Sequence, residues 1–322
     1  MEEMSTNRLV SIIIVSNGKD NYLKSCLESL KVQTYPEFET IVIDNSLNHN
    51  FSQEILKCYP GIKLYSSVKN LFYCSAVNKG IEVSKGNFIL CLNDDVILDK
   101  SFIEEALKGF LVEPKIGMVG GKILRQDAQT LDSTGLFLSP WRTTKDRGYG
   151  VRDTGQYEKE GYVFGVNGAV AFYRREMLED IKVDPDYFDA DYHIFYEDLD
   201  IAWRGQNFGW KAYYVPSAVA YHIRGASVRL IHGINKPCAR RYLSDDLHLD
   251  LVKNRYLTLI KNESLLDFVL RLLFIFFYDI LTWGYILFFR PRLVKNFLLN
   301  LKIIKFAFIK RKLIKKIEFS RR

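Results

Sequence analysis

Cysteine is sparse and unpatterned in this chain. Cys26, Cys58, Cys74, Cys91 and Cys238 are scattered over 322 residues, odd in number and without a CxxC pair. That spacing excludes a zinc ribbon and a disulfide framework, and it points to a reducing compartment. The N-terminus, MEEMSTNRLV, has neither the basic nor the apolar region of a secretory signal. No internal repeat and no low-complexity linker occurs before residue 270. A basic excess is missing from the body: residues 1–270 carry a net charge of about −4, whereas residues 271–322 carry about +11. A nucleic-acid-binding enzyme spreads its basic residues over the body, so nucleic acid is not the expected partner.

What is present is enough apolar residue for a sizeable core. Hydrophobic residues make up 48% and charged residues 26%, which excludes wholesale disorder. Short β-branched runs at 9–15, 38–43, 62–66 and 87–92 read as buried strands, with helical periods at 22–33, 75–84 and 101–111 between them. A Gly-rich strand follows at 116–124. Residues 125–160 carry no clear period. A strand at 164–173, helices at 175–181 and 197–208 and a strand at 212–221 complete the body. Strands alternating with helices predict an α/β fold with a mostly parallel sheet. Ligands in such sheets bind beyond the carboxyl ends of the strands. Asp44 and the Asp94/Asp95 pair sit at those ends.

Carboxylates at the end of an apolar strand are costly unless solvated or paired with a cation. Asp94 and Asp95 therefore read either as oxygen ligands for a hard cation such as Mg²⁺ or Mn²⁺, or as a turn that caps the helix after Ser101. Glu197, Asp198 and Asp200 open a helix, where acids are favoured by the macrodipole in any case. His222 closes the last strand, and a lone histidine there is either structural or a ligand.

Order and spacing carry the reading further. The segments LVSIIIVSN, CLESLKVQTYPEFETIVIDNS, NKGIEVSKGNFILCLNDDV, GMVGGKIL, VNGAVAFYRREML and FDADYHIFYEDLDIAWRGQNFGWKAYYVPSAVAYHIRGAS together resemble the family 2 glycosyltransferases, in the bacterial rhamnosyltransferase-like branch. The resemblance covers about residues 8–260, and several separated motifs in order are far more specific than any one of them. It implies a GT-A fold and an inverting, metal-dependent transfer from a nucleotide-diphosphate sugar in TDP, UDP or GDP form. By the same resemblance, Asp44 contacts the nucleobase and Asn93-Asp94-Asp95 occupies the DxD-type position. Asp95 would hold the metal, with Asp94 near the ribose and metal. Asp198 is matched to the general base, and His222 to a histidine that completes the metal site. Ser16, Asn78, Gly168 and Arg204 fall on donor-binding positions. Two departures stand out: residues 71–77, LFYCSAV, lack the small glycines usual before the Asn78 helix, and the Gln-x-x-Arg-Trp motif of the processive synthases is absent. The second favours a single-addition enzyme.

The C-terminal 60 residues read as a separate tail, giving a domain at 1–262 and a basic, apolar tail at 263–322. Residues 272–289 are almost wholly apolar but interrupted by Asp279, at the lower limit for a membrane span of about 20 residues. After Pro291, residues 293–317 place Phe297, Leu301, Ile304 and Phe308 on one helical stripe with Lys295 and Lys302 opposite, the pattern of a helix lying on an anionic membrane. Packing of that helix on the body or on a second subunit is the alternative. The expectation is thus a hexosyltransferase, with rhamnose as the expected sugar, working at the cytoplasmic face of the membrane on a lipid-linked or polysaccharide acceptor. A non-catalytic nucleotide-sugar-binding scaffold and a membrane-integral synthase are the other readings.

Overall fold

The computed structural model describes residues 9–18, 22–223 and 244–320. Gly225-Ala226-Ser227 at the end of the last motif and Cys238 lie outside these residues. The elements run β1 (Val10–Ser16), α1 (Tyr22–Lys31), β2 (Phe38–Asp44), α2 (His49–Cys58), β3 (Lys63–Ser66), α3 (Phe72–Val83), β4 (Phe88–Asn93), β5 (Val96–Leu98), α4 (Phe102–Gly109), β6 (Ile116–Arg125), β7 (Leu131–Ser133), β8 (Leu136–Leu138), β9 (Thr144–Asp146), β10 (Gly161–Val163), β11 (Val170–Arg174), α5 (Arg175–Ile181), α6 (Glu197–Asn207), β12 (Lys211–His222), α7 (Asp245–Asn262), α8 (Leu265–Phe289), α9 (Arg292–Leu299) and α10 (Leu301–Ser320).

The central sheet has the order β10-β12-β6-β11-β4-β1-β2-β3. Strands β1, β2, β3 and β4 are mutually parallel, and β6 is parallel to β12. Strand β11 runs antiparallel to both β4 and β6, and the short strands β5, β7 and β10 also pair antiparallel at the β6–β12 side, so the sheet is parallel mainly through its long strands. Helices cover both faces, which is why strands such as VSIIIVS are continuously apolar. Val10, Ile12 and Ile14 pack on one side with Leu23, Leu27 and Phe102, whereas Ile13 packs on the other with Cys74, Val77 and Met177. On that second face α3 lies so close that a Cβ on Gly80 would stand 2.4 Å from Ile13 Cγ2.

The consequence of this topology is one functional edge. The carboxyl ends of β1 (Ser16), β2 (Asp44), β4 (Asn93), β6 (Arg125) and β12 (His222) all lie on it, since Ser16 is in register with Asp44, Val15 with Asn93, and His222 with Arg125. The amino end of β11 meets the same edge, with Val170 beside Leu92.

Several expectations need correction. The expected strand at 164–173 is β11 alone, starting at Val170. The unassigned stretch 125–160 contains β7 and the β8–β9 hairpin. Helix α3 starts at Phe72, not residue 75, with the Phe72 N–H donating to Asn70 Oδ1 at 2.8 Å. The expected single helix at 293–317 is interrupted at Asn300, and its apolar stripe is divided. Phe297 packs edge-on against Tyr256 and Trp283, and Ile304 packs on the main core, while Leu301 and Phe308 face outward. Helix α10 returns to the body, burying Ala307 and Ile314, with Lys310 bonded to Asp189 at 2.5 Å and Asp191 at 2.7 Å. The boundary at residue 262 therefore separates helices that pack together.

Candidate active site

Strand β4 ends in Asn93, and the chain turns there through Asp94 and Asp95 before β5 pairs with β12. Asp94 accepts from the Ser16 hydroxyl and the Asn17 N–H. Burial nonetheless pushes its carboxyl up to about 6, with the neighbouring Asp95 adding to the shift. Asp95 is buried, and its Oδ1 lies 3.2 Å from His222 Nε2. The other ring nitrogen, Nδ1, is 2.9 Å from Asp132 Oδ2, and Asp132 is itself wholly buried. Burial works against the imidazolium, but the two carboxylates outweigh it and raise the His222 pKa. An Asp132 contact on Nδ1 leaves Nε2 directed at Asp95, the arrangement by which outer carboxylates orient histidine ligands.

These residues have the chemistry of a hard-cation site. The donors are oxygens with one imidazole, and burial and the neighbouring Asp95 both work against the negative charge of Asp94. Among the described residues, no group of three or more His, Cys, Asp or Glu is arranged as a ready cage. Asp95, Asp94 and His222 would have to exchange the internal Asp95–His222 contact for an ion.

A second acidic pair lies close by. The Asn93 N–H donates to Ala169 O at 2.9 Å, and the adjacent Gly168 N–H donates to Asp198 Oδ2 at 3.3 Å. Asp198 Oδ1 also accepts the Leu199 N–H at 2.7 Å. Glu197 sits beside it, and its buried Oε2 has no hydrogen-bond partner among the described residues. Burial raises both carboxyls, Glu197 further by the charge of Asp198 and Asp198 by the charge of Asp146 on β9. Gly168 lies closely against both acids. A Cβ on it would meet Asp198 Cβ at 3.3 Å and Glu197 Oε1 at 3.5 Å. Phe195 and Tyr196, which precede the pair, both have φ of 70°. Two successive non-glycine residues in the left-handed region are strained, and such strain collects at functional sites.

The remaining expected positions divide. Asp44, buried at the end of β2, accepts the Ser46 N–H at 2.7 Å and the hydroxyl of Ser52, so its carboxylate is engaged with its own loop. Asn78 and Arg204 are not brought to this mouth. The Asn78 amide bonds Asp186 and both backbone groups of Phe188. Arg204 is 1% exposed and bonds Asp200, Ile181 O and Tyr187 O. Both hold the fold together rather than facing the acidic groups, a correction to the sequence reading.

Three residues at the mouth were not expected. Asp146 came from the stretch without a period. Phe72 stacks on His193 with ring centroids 4.1 Å apart, and Tyr73 donates its hydroxyl to Gly168 O at 3.3 Å. The signal for these two was the aromatic pair standing where glycines were missing.

Residues 11–182 match the family described as glycosyl transferase family 2. The chain is 21% identical over 214 residues to a poly-beta-1,6-N-acetyl-D-glucosamine synthase of Staphylococcus epidermidis, covering 66% of this chain and 49% of that protein. It thus spans about half the length of that relative. An N-acetylglucosaminyl-diphospho-decaprenol L-rhamnosyltransferase of Mycobacterium tuberculosis is 23% identical, covering 68% of this chain and 77% of the relative. Among solved structures, GalNAc-T7 with UDP, GalNAc and Mn²⁺ superposes with a TM-score of 0.54 at 15% identity, over 68% of this chain and 44% of that one. The mannosyltransferase PcManGT of Pyrobaculum calidifontis, in complex with GDP-Man and Mn²⁺, superposes at 0.52 and 12% identity, over 98% and 87%. The expected GT-A fold is the fold observed.

Proposed function

The chain belongs to glycosyl transferase family 2, and on that footing we propose that it is an inverting, metal-dependent, single-addition hexosyltransferase. The donor is a nucleotide-diphosphate sugar, with rhamnose the favoured sugar, and the acceptor is a lipid-linked or polysaccharide glycan. The observation that carries the proposal is the hydrogen-bonded link from Asn93 through Ala169 and Gly168 to Asp198, which ties the two acidic pairs together at one sheet edge.

In this reading Asp198 is the general base. An acceptor hydroxyl is a weak nucleophile until a carboxylate takes its proton, and a raised carboxyl is a better proton acceptor near neutral pH. The acceptor oxygen bonds to the anomeric carbon as the bond to the diphosphate breaks on the opposite face, which inverts the centre. Asp198 Oδ2 keeps the proton, and its backbone N–H partners hold the carboxylate in place. Asp95, with Asp94 and His222, would hold a divalent cation; a bound cation supplies neutralisation of the negative charge on the leaving diphosphate. Asp44 and Ser16 line the nucleotide side. A rhamnosyltransferase among the relatives supports the sugar assignment, and Mn²⁺ in both superposed structures supports the cation.

The proposal includes an anionic membrane surface as a partner, at the cytoplasmic face. Helix α8 is 25 residues long and, by length and composition, apolar enough to cross a membrane, and Leu266, Leu270, Leu273 and Phe276 stand exposed on it. Its other side packs along the body, through Phe274 and Phe277 on Trp141, Asp279 on Arg255, and Trp283 on Tyr256. A helix held to the body along its length favours lying on the membrane over crossing it.

A panel of TDP-, UDP- and GDP-sugars with Mn²⁺ or Mg²⁺ tests the donor class. One donor at about 100 times its Kd should stabilise the fold by about 2.7 kcal/mol and release nucleoside diphosphate on reaction. Absence of stabilisation and release across the whole panel would refute the transferase reading.

A further inference from the structure

We propose that Asn254, on α7, is a positioning residue for the catalytic base, holding the strained turn that aims Asp198; this rests on the transferase reading above. Asn254 lies beyond the segment that matches the family, and it is completely buried. Its Nδ2 donates to Ile194 O at 2.8 Å and to Phe195 O at 2.9 Å. These carbonyls belong to the turn in which Phe195 and Tyr196 both adopt φ of 70°. Non-glycine residues hold that conformation only where their surroundings over-determine it. One amide group gathering two successive carbonyls supplies that constraint. The next residues are Glu197 and Asp198, and α6 begins there, with Asp200 N donating to Tyr196 O at 2.8 Å. A change in the turn therefore rotates the first turn of α6 and moves the Asp198 carboxylate relative to Gly168.

The rest of α7 repeats the design on the same helical face. Thr258 Oγ1 lies 2.8 Å from the Tyr192 hydroxyl, and Lys261 pairs with Asp189 at 2.5 Å and Asp200 at 3.0 Å. Positions 254, 258 and 261 are one stripe of a helix. The stripe grips residues 189–200 from end to end, but only Asn254 holds the two carbonyls of the strained turn. Packing alone does not require this arrangement: a buried apolar side chain at 254 would fill the space and leave the two carbonyls unsatisfied. Asn254 Oδ1 is itself buried and without a partner among the described residues, so the amide is retained for its donors.

The test compares Asn254→Asp, which keeps the volume and replaces the donors with an oxygen, and Asn254→Ala with a control, Thr258→Val. The control removes a buried hydrogen bond from the same helix to the same segment without touching the turn. For transfer by full-length protein, kcat should fall about 10²-fold in both Asn254 variants, the loss expected of a base displaced by about 1 Å. The donor KM should stay within about twofold, and the acid limb of the pH–rate profile should move. Thr258→Val should lose comparable thermal stability yet keep kcat and the acid limb. Asn254→Ser retains one hydroxyl donor and extends the series if the other variants do not accumulate folded; its kcat should fall between those of wild type and the alanine level. Equal kcat per folded molecule and an unmoved acid limb in the Asn254 variants would overturn the proposal while Asp198→Asn still abolished transfer. If the wild type transfers no sugar, the transferase reading fails first.

Discussion

Glu197 and Asp198 are adjacent carboxyls, both raised by burial, and Asp146 adds a third charge to the neighbourhood. A base works in its ionised form, so lowering the pH through a raised pKa removes it. We therefore expect transfer to rise with pH, with its acid limb above the ordinary carboxylate range of about 4. The apparent value belongs to the pair rather than to Asp198 alone. A pH–rate profile of kcat checks this, and a half-maximal point near 4 would contradict it. At this scale the sequence was informative where chemistry is expensive. Asp94 and Asp95 after an apolar strand, and the Glu197-Asp198 pair, were visible because buried carboxylates need a reason. Asn78 and Arg204 misled because motif position says nothing of where a side chain points. Each is consumed by backbone groups of residues 181–188, which stand 110 positions from Asn78 and 17 and 23 from Arg204 in the sequence.

The helices show what periodicity conveys and what it conceals. Strands β1, β2 and β4 were legible because both faces of the sheet are covered and the runs are continuously apolar. Helix α7 escaped notice because most of the surface it buries is polar: His248, Asp250, Lys253, Asn254, Arg255, Thr258, Lys261 and Asn262 are buried beside Val252, Leu257 and Leu259. A helix that packs largely through hydrogen bonds and ion pairs has a broken apolar stripe that is hard to read. Helix α8 is the reverse case, overt in composition, with its outer apolar face left bare. Burial of that face in lipid contributes about 25 cal/mol per Å² and is not screened by salt, whereas each basic residue near an anionic surface contributes about 1 kcal/mol that is. High salt should thus release the protein only partly from anionic vesicles. The double substitution Leu273→Asp/Phe276→Asp should abolish the salt-resistant fraction in a flotation assay while leaving donor binding intact. Unchanged flotation of that variant would exclude α8 as the docking face.

The whole molecule is more unified than its sequence implies. Charge and hydropathy divide it near residue 262, yet α10 returns to residues 189–191 and places Lys310 between Asp189 and Asp191. Burial alone would raise the Asp189 carboxyl; Lys261 and Lys310 override it and hold the group well below the usual range. The segment leading to the strained turn before Glu197 is therefore fastened by α7 and by α10 of the basic tail, a long-range arrangement that no local pattern encodes. The parallel order of the sheet was legible, and so was the collection of acids at its carboxyl edge; the antiparallel β11, which delivers Gly168 to that edge, was legible only as a strand. The central claim is that Asp198 acts on the acceptor while the aspartates at the end of β4 serve the donor. The most direct test measures donor affinity and turnover together for Asp198→Asn, which keeps the shape and removes the proton acceptor. Turnover should fall by roughly 10²–10⁴-fold with donor affinity nearly unchanged; collapse of donor binding with turnover preserved would contradict the account.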